Sequence, residues 1–429
     1  MGERTEEYDW LRLDNAAKIY PATHSDAAPA VFRVSVTLHE AIRIRDLQEA
    51  LEALIDRVPY YQVHLKRGFF WYYLQRHDEY PKIRPLPEEP LSQISLHQSE
   101  EQLLRVYARE GTVAVDFSHV LTDGYGAMRF LGSLIVEYLR RIGEPVPPGP
   151  LLMEPGTAVP PQEYEDTFQQ HYKPEAPKAP DLEPAYHVGG MPFIRGYRTV
   201  TGRMSVADAL ATSKRYGATL TEYIAAAYMF SIKKVYDQQE SGVIKPRNKI
   251  IRIEVPVNMR RIHQSVTMRN FSLFVSPEID LRLGSWTFEE IIRRVHHEMN
   301  IQLEPNELAR QISRNVGGER STLVRIIPRA LKDAYLGYLR RTIGDRSYSG
   351  VVSNLGRFIL PEAAKPYVES AGFVLGPNAA YKTCCAVVSY GDVLTITFGS
   401  VIQNRAVERG FFRKLADDGL DILVSEQAP

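Results

Sequence analysis

Apolar and polar residues alternate over Ala30–Leu38 (AVFRVSVTL), with β-branched side chains at every second position, which predicts a half-buried strand. The period then changes. Leu47, Ala50, Leu51, Leu54 and Val58 fall at helical spacing within Ile44–Val58. The aromatic run Gly68–Leu74 (GFFWYYL) suits a strand, Glu100–Arg109 a short helix, and Thr112–Phe117 (TVAVDF) a short strand. After Gly124 the helical period returns. Phe130, Leu131, Leu134, Ile135, Tyr138 and Leu139 form one apolar stripe that Gly143 and Pro145 bring to an end.

From about Glu144 to Pro184 the pattern gives way to proline-rich text (PVPPGP, PGTAVPPQ, KPEAPKAPDLEP). Proline removes backbone donors and steers its predecessor away from helix, so this stretch is expected to be a linker or surface crossover. It divides the chain into an N-terminal half (1–150), a crossover (151–185) and a C-terminal half (186–429). The second half has a similar rhythm. Strands are expected at Thr199–Ser205, Lys249–Pro256, Phe271–Val275, Val351–Asn354, Lys382–Val388 and Val393–Ser400. Helices are expected near Val206–Tyr216, Thr221–Tyr236, Thr287–Leu303, Pro305–Ser313 and Glu408–Asp418. Strands and helices mix without the regular alternation of a doubly wound fold, so two α/β sandwich-like halves are the simplest architecture.

Composition narrows the function classes. A chain of 429 residues exceeds what one core usually serves. The 52 basic side chains equal the 52 acidic ones, so no global field draws nucleic acid or an anionic membrane. No stretch approaches the roughly 20 apolar residues of a membrane span, and the charged start MGERTEEYDWLRLDNAAK lacks a signal-peptide core; a cytoplasmic location is expected. The only cysteines, Cys384 and Cys385, are adjacent. Neighbouring strand residues point to opposite faces, so they read as two separate reduced thiols, neither a disulfide nor a zinc site.

The candidate chemistry lies in His119-Val120-Leu121-Thr122-Asp123-Gly124, at a strand-to-helix junction. An unperturbed imidazole titrates near neutrality and can take a proton from a hydroxyl or amine. Asp123 can hold the turn by hydrogen bonding or pair with an arginine. Gly124 permits a tight turn, and its N–H can face a developing oxyanion. Three blander readings compete: a structural histidine at a strand end, an isolated pair of metal ligands with no third or fourth ligand nearby, and an aspartate that only caps the following helix.

HxxxDG after a short strand resembles the active-site motif of the CoA-dependent acyltransferase superfamily, which includes chloramphenicol acetyltransferase, peptide-synthetase condensation domains, wax ester synthases and alcohol acetyltransferases. Further landmarks resemble the family in order along the chain, and are most similar to alcohol-acetyltransferase-like and wax-ester-synthase-like members. They are Trp10–Ala16 (WLRLDNA), Leu51–Pro59 (LEALIDRVP), Pro256–Arg261 (PVNMRR) with Arg269-Asn270-Phe271, and Ser353-Asn354-Leu355-Gly356. The resemblance implies two chloramphenicol-acetyltransferase-like α/β halves, a pseudo-dimer, with a tunnel between them and His119 as the base. It implies that Asp123 orients the loop through an arginine, with Arg57 as the candidate partner, that Gly124 lines the reaction centre, and that Asn270, Ser353 and Asn354 reach the tunnel from the second half. For those three, ordinary turn and strand-end chemistry is an equal alternative.

The expected reaction is acyl transfer from a thioester, acyl-CoA as co-substrate, to a small-molecule alcohol or amine, by a monomer with no permanently bound cofactor and no metal. Peptide-forming condensation domains usually carry two adjacent histidines. Ser118 precedes His119 here, which weakens the peptide-synthesis reading. The rivals are a free-standing condensation-type enzyme fed by an acyl-carrier protein and a non-catalytic binding protein on the same fold. His296-His297 is expected on the rim of an amphipathic helix and Gly317-Gly318 in a turn. The basic, partly apolar Arg325–Arg341 is expected to present a solvated face, with CoA phosphates or a membrane surface as other takers.

Overall fold

Three sheets organise the chain in a computed structural model, which describes residues 9–24, 29–89, 91, 94, 96, 101–175, 177, 182–193, 196–242, 245–339, 346–376 and 381–427. Residues 1–8, Glu100, and Arg340 and Arg341, on which some of the expectations above fall, lie outside the described residues.

The first large sheet has five strands in the order Val368–Leu375, Val31–Leu38, Thr112–Ser118, Leu104–Arg109 and Ile83–Pro85. Helices Ile44–Arg57 and Gly124–Arg141 pack on each other beside it, and their apolar stripes are buried in one core. The second sheet has eight strands. Seven run in the order Ser272–Val275, Ile250–Asn258, Gly350–Arg357, Thr383–Tyr390, Val393–Ser400, Arg198–Ser205 and Leu423–Gln427, and Glu278–Asp280 also pairs with Ile250–Asn258. The long helix Leu220–Glu240 packs against helices Val206–Arg215, Phe288–Gln302 and Ala406–Asp417 beside this sheet. Its start is fixed by a reciprocal cap: Thr219 Oγ accepts from Glu222 N at 3.3 Å, and the Glu222 carboxylate accepts from Thr219 N at 2.7 Å. A small sheet of Trp10–Arg12, Tyr72–Arg76 and Val63–Arg67 completes the set.

The large sheets do not divide the chain at one point. Val368–Leu375, from late in the sequence, pairs antiparallel with Val31–Leu38. The proline-rich crossover is also woven in. Its Phe168 joins Phe271, Leu308, Ile312 and Val316 in a small separate core.

Four local expectations are corrected. Leu104–Arg109 is a strand and not a helix, because Leu104, Val106 and Ala108 alternate inward and Glu110-Gly111 return the chain into a hairpin with Thr112–Ser118. The aromatic run Gly68–Leu74 straddles a turn in which Gly68 N donates to Trp71 O at 2.9 Å, and the strand starts only at Tyr72. A Cβ on Gly68 would sit 2.6 Å from that carbonyl oxygen, so glycine is required there. Gly317-Gly318 lies inside the helix Pro305–Arg320 and not in a turn, because buried Leu308, Ile312 and Val316 carry the helical stripe up to it. The solvated face expected over Arg325–Arg341 holds for Arg325, which is exposed, and not for Arg329 and Lys332 of the helix Arg329–Leu339. Arg329 Nη1 donates to Asp333 at 2.7 Å and to Tyr72 Oη at 3.1 Å, and Lys332 Nζ sits 3.4 Å from the centre of the Trp71 ring. Among the described residues, no helix is long and apolar enough to cross a membrane.

Candidate active site

Strand Thr112–Ser118 ends where the helix Gly124–Arg141 begins, and the intervening loop opens on a cavity of about 1480 Å³ between the two large sheets. His119 is half-buried in its wall. Its backbone N donates to Ala30 O at 2.9 Å. Its ring stacks on Tyr20, centroids 5.2 Å apart, and tilts against Phe32 at 4.5 Å. Removal from water drives its pKa down to about 4, although the Asp123 charge and a backbone group of Thr122 pull the other way. The imidazole is therefore neutral at cellular pH.

Asp123 faces away from a catalytic partnership with His119. It caps the helix, its Oδ1 accepting from Gly126 N at 3.3 Å. Its Oδ2 accepts from Arg260 Nη1 at 2.9 Å, Phe271 N at 2.9 Å and Ser272 Oγ at 3.0 Å. Burial opposes the charge, but Arg260 and these donors outweigh it and hold the carboxyl below its ordinary range. Arg260 is itself locked, donating from Nε to Thr267 O at 2.7 Å and from Nη2 to Arg269 O, with its guanidinium over the Tyr125 ring.

Arg57 is not the partner of Asp123. It forms a bidentate pair with buried Glu163 at 2.8 Å for both bonds, and its Nε donates to Thr157. The sequence placed Arg57 at the end of the right helix, but the crossover supplies a nearer carboxylate. Arg260 belonged to the PVNMRR landmark and carried no assigned role. Its link to Asp123 spans 137 positions, so no local spacing signals it.

Gly124, Asn270, Ser353 and Asn354 all line the cavity with His119. Asn270 Nδ2 donates to His119 O at 2.9 Å and to Asp14 Oδ2 at 3.0 Å, fixing the loop from the opposite half. Asn354 Oδ1 accepts from Gly356 N at 2.8 Å, a turn role, while its Nδ2 donates to Thr221 Oγ at 2.9 Å. Leu355 packs directly onto Gly124, where a Cβ would come within 2.2 Å of it. Thr122 and Tyr61 add a further clamp, both donating to Met268 O, at 2.6 and 2.7 Å. A Cβ on Gly126 would meet Thr122, Met268 O and Tyr61 all within 2.7 Å, so the helix can start here only on glycine.

The sequence reading missed Asp14, Tyr20, Glu254 and Tyr381. Tyr20, Glu254 and Tyr381 also line the cavity, and Asp14 anchors Asn270. Cys384 and Cys385 are free and on opposite faces, Cys384 toward the cavity and Cys385 in the core. Burial pushes the Cys384 thiol up to about 12. His296 contacts Glu222 at 3.1 Å on a half-exposed helix face. Among the described residues, no cluster of three or more His, Cys, Asp or Glu side chains is arranged to hold a metal ion.

Two mixed α/β lobes enclosing such a cavity define the fold of CoA-dependent acetyltransferases and condensation domains, and the chain has that fold. No protein-family profile and no curated protein sequence matches it. Among solved structures it is similar to TRI101 of F. graminearum, complexed with coenzyme A and deoxynivalenol, at a TM-score of 0.64 and 10% identity over 96% of this chain and 99% of that one. It is similar to the TRI3 trichothecene 15-O-acetyltransferase of Fusarium sporotrichioides at 0.60 and 13% identity, over 95% and 94% of the two chains. Polyketide synthase associated protein 5 of Mycobacterium tuberculosis matches at 0.57 and 13% identity, over 94% and 96%.

Proposed function

We propose that the protein is an acyltransferase that moves an acyl group from an acyl-CoA thioester to an alcohol or amine, with His119 as general base. The observation that carries this reading is the placement of a neutral imidazole in the wall of a large cavity, held by Tyr20 and Phe32, while Asp123 is fully engaged elsewhere. The ring takes the proton of the acceptor's O–H or N–H as the heteroatom attacks the thioester carbonyl. The C–S bond then breaks, and the departing CoA thiolate recovers the proton from the imidazolium. Gly124 N–H, in the first turn of the helix, would donate to the oxyanion between the two steps. Attack is direct. The Cys384 thiol is held protonated by burial and is no nucleophile. Ile327, Leu331, Leu336 and Leu339 give the cavity a partly exposed apolar edge, which an acyl chain longer than acetyl would cover.

The test is thiol release from a series of acyl-CoAs of increasing chain length with an alkanol acceptor, for wild type and His119→Ala. Loss of the base is expected to cost about 10²–10⁴ in kcat, with the thermal transition retained. A folded His119→Ala protein with undiminished transfer would overturn the mechanism.

A further inference from the structure

Among the described residues, Glu254 is the one cavity-lining carboxylate for which the fold supplies almost nothing. Strand Ile250–Asn258 sends Ile251, Ile253 and Val255 into the core, and Glu254, Pro256 and Asn258 into the cavity. In the sheet, Glu254 pairs with Val351, which pairs in turn with Cys384, so these three form a row across the cavity floor. Among the described residues, the only hydrogen bond to its carboxylate is from Tyr381 Oη to Oε2, at 2.9 Å. Among the described residues, no lysine, arginine or histidine forms an ion pair with it. The groups that face it are Tyr20 from the helix Ile19–Thr23, Tyr348 and Tyr381, whose rings meet edge-on at 6.3 Å, and Cys384. All four are held neutral by burial. The nearby cations have other duties or lie out of reach: Arg252 is bound to Glu278, and Arg314 acts on Tyr348 without pairing with Glu254.

A carboxyl in this setting loses hydration and gains no counter-charge. Burial alone lifts its pKa to about 7, against the single opposing bond from Tyr381. Glu254 is half-buried in the cavity wall, whereas the fully buried Asp116 and Glu163 of this same chain are paired with Arg33 and Arg57. An unpaired carboxylate that opens on a cavity has its free oxygen available to whatever enters.

We propose that Glu254 and Tyr381 form the subsite that recognises the acyl acceptor, and that the acceptor carries a protonated amine in addition to the group that is acylated. The ligand's ammonium would be the missing counter-charge, and the site would take such acceptors in preference to ones with only a hydrocarbon tail. Tyr20 places the subsite near the chemistry, since its ring stacks on His119 and its hydroxyl lies within the electrostatic reach of Glu254. This rests on the acyl-transfer reading for its kinetic arm only.

The experiment compares 1-alkanols with ω-dimethylamino-alkanols of the same length, from four to eight carbons, with octanoyl-CoA as donor. A tertiary amine forms no stable amide, so ester formation reports the hydroxyl in both series. In wild type, at least one amino-alcohol should show a KM tenfold or more below that of its alkanol. The preference should grow from pH 6 to pH 8 as the carboxyl ionises, while the amine stays charged. In Glu254→Gln the ratio of the two KM values should collapse toward unity. In Tyr381→Phe, which keeps the carboxyl but removes the hydrogen bond from Tyr381 Oη, the rise of the preference should move to higher pH. No preference at any length, or a preference that survives Glu254→Gln, overturns the proposal. An equal preference for the matching α,ω-diols overturns the ammonium assignment. Calorimetric binding of the amino-alcohols without donor separates the two readings. Charge-selective binding lost in Glu254→Gln, with no turnover of any acceptor, would keep the subsite and sink the acyltransferase, whereas turnover without charge-selective binding would do the reverse.

Discussion

Asp123 and Glu254 are both acidic residues of the same cavity wall, yet the molecule treats them in opposite ways. Asp123 receives an arginine, a hydroxyl and two backbone N–H groups. Glu254 receives one tyrosine hydroxyl. The first is held below the ordinary carboxylate range by its partners and the second is raised to about 7 by desolvation. A carboxylate whose lone pairs are all used acts as scaffold: Asp123 ties the HxxxDG loop of the N-terminal half to Arg260, Phe271 and Ser272 of the C-terminal half. One left nearly bare beside a cavity stores an interaction for something outside the chain. Partner count, more than proximity to His119, separates the two roles.

The comparison breaks hardest at Arg260. Arg260→Ala removes the cation and leaves Asp123 buried with a charge it cannot share, for which a loss of about 3–5 kcal/mol in unfolding free energy is expected. Denaturant midpoints with an unchanged slope would measure it. Asp123→Asn should cost less, since the amide oxygen still accepts from Phe271 N. Should Arg260→Ala prove as stable as wild type, the clamp between the halves would not be what fixes the loop.

The two carboxylates also give stability opposite slopes in pH. Asp123 has a folded pKa below its unfolded one. Its contribution is present above about pH 4 and is lost as pH falls through the folded value. Glu254 has a folded pKa near 7, above its unfolded one, so its contribution is full at low pH and is lost as pH rises through about 7. Glu254→Gln should therefore raise stability at pH 8 relative to wild type, by on the order of 1–2 kcal/mol. The shift alone would give more, but the side chain opens on a solvent-filled cavity. Melting curves at pH 5 and pH 8 read the Glu254 slope, and curves taken from pH 5 downward read that of Asp123. A Glu254→Gln protein destabilised at pH 8 would show that the carboxylate is structural after all.

How much of this was readable in the sequence follows the range of each interaction. The strand Val393–Ser400, the helix Ile44–Arg57 and the stripe after Gly124 rest on local periodicity, and their positions were legible. The HxxxDG loop was legible as a candidate site because its residues are neighbours in the chain. The strand Val368–Leu375 was not, since its place beside Val31–Leu38 depends on a partner more than 300 residues away. Nor was the choice between Arg57 and Arg260. Both are arginines beside recognisable landmarks, and only the position of Glu163 in the crossover decides which is free to reach Asp123. Glu254 was invisible for a different reason. In KIIRIEVPVN it reads as the polar position of an alternating strand, and nothing local says that its face borders a cavity and not water.

The smallest expected effect is an absence of change, and it bears on His119. An ordinary imidazole base, with a pKa near 6.5, would leave kcat/KM at about a tenth of its plateau by pH 5.5. Burial against Tyr20 and Phe32 brings His119 down to about 4, so the base stays neutral across that interval. With an alkanol acceptor and saturating acyl-CoA, kcat/KM for the acceptor should hold nearly level from pH 7.5 to pH 5.5 and fall only below about 5. Asp123 is the charge that opposes this depression, so Asp123→Asn should move the acidic limb lower still, where general destabilisation of the loop would reduce the plateau without displacing the limb. A wild-type limb near pH 6.5 would mean that the ring is hydrated in the working enzyme. The separation between a satisfied Asp123 and a waiting Glu254 would then have to be drawn without a dry reaction centre between them.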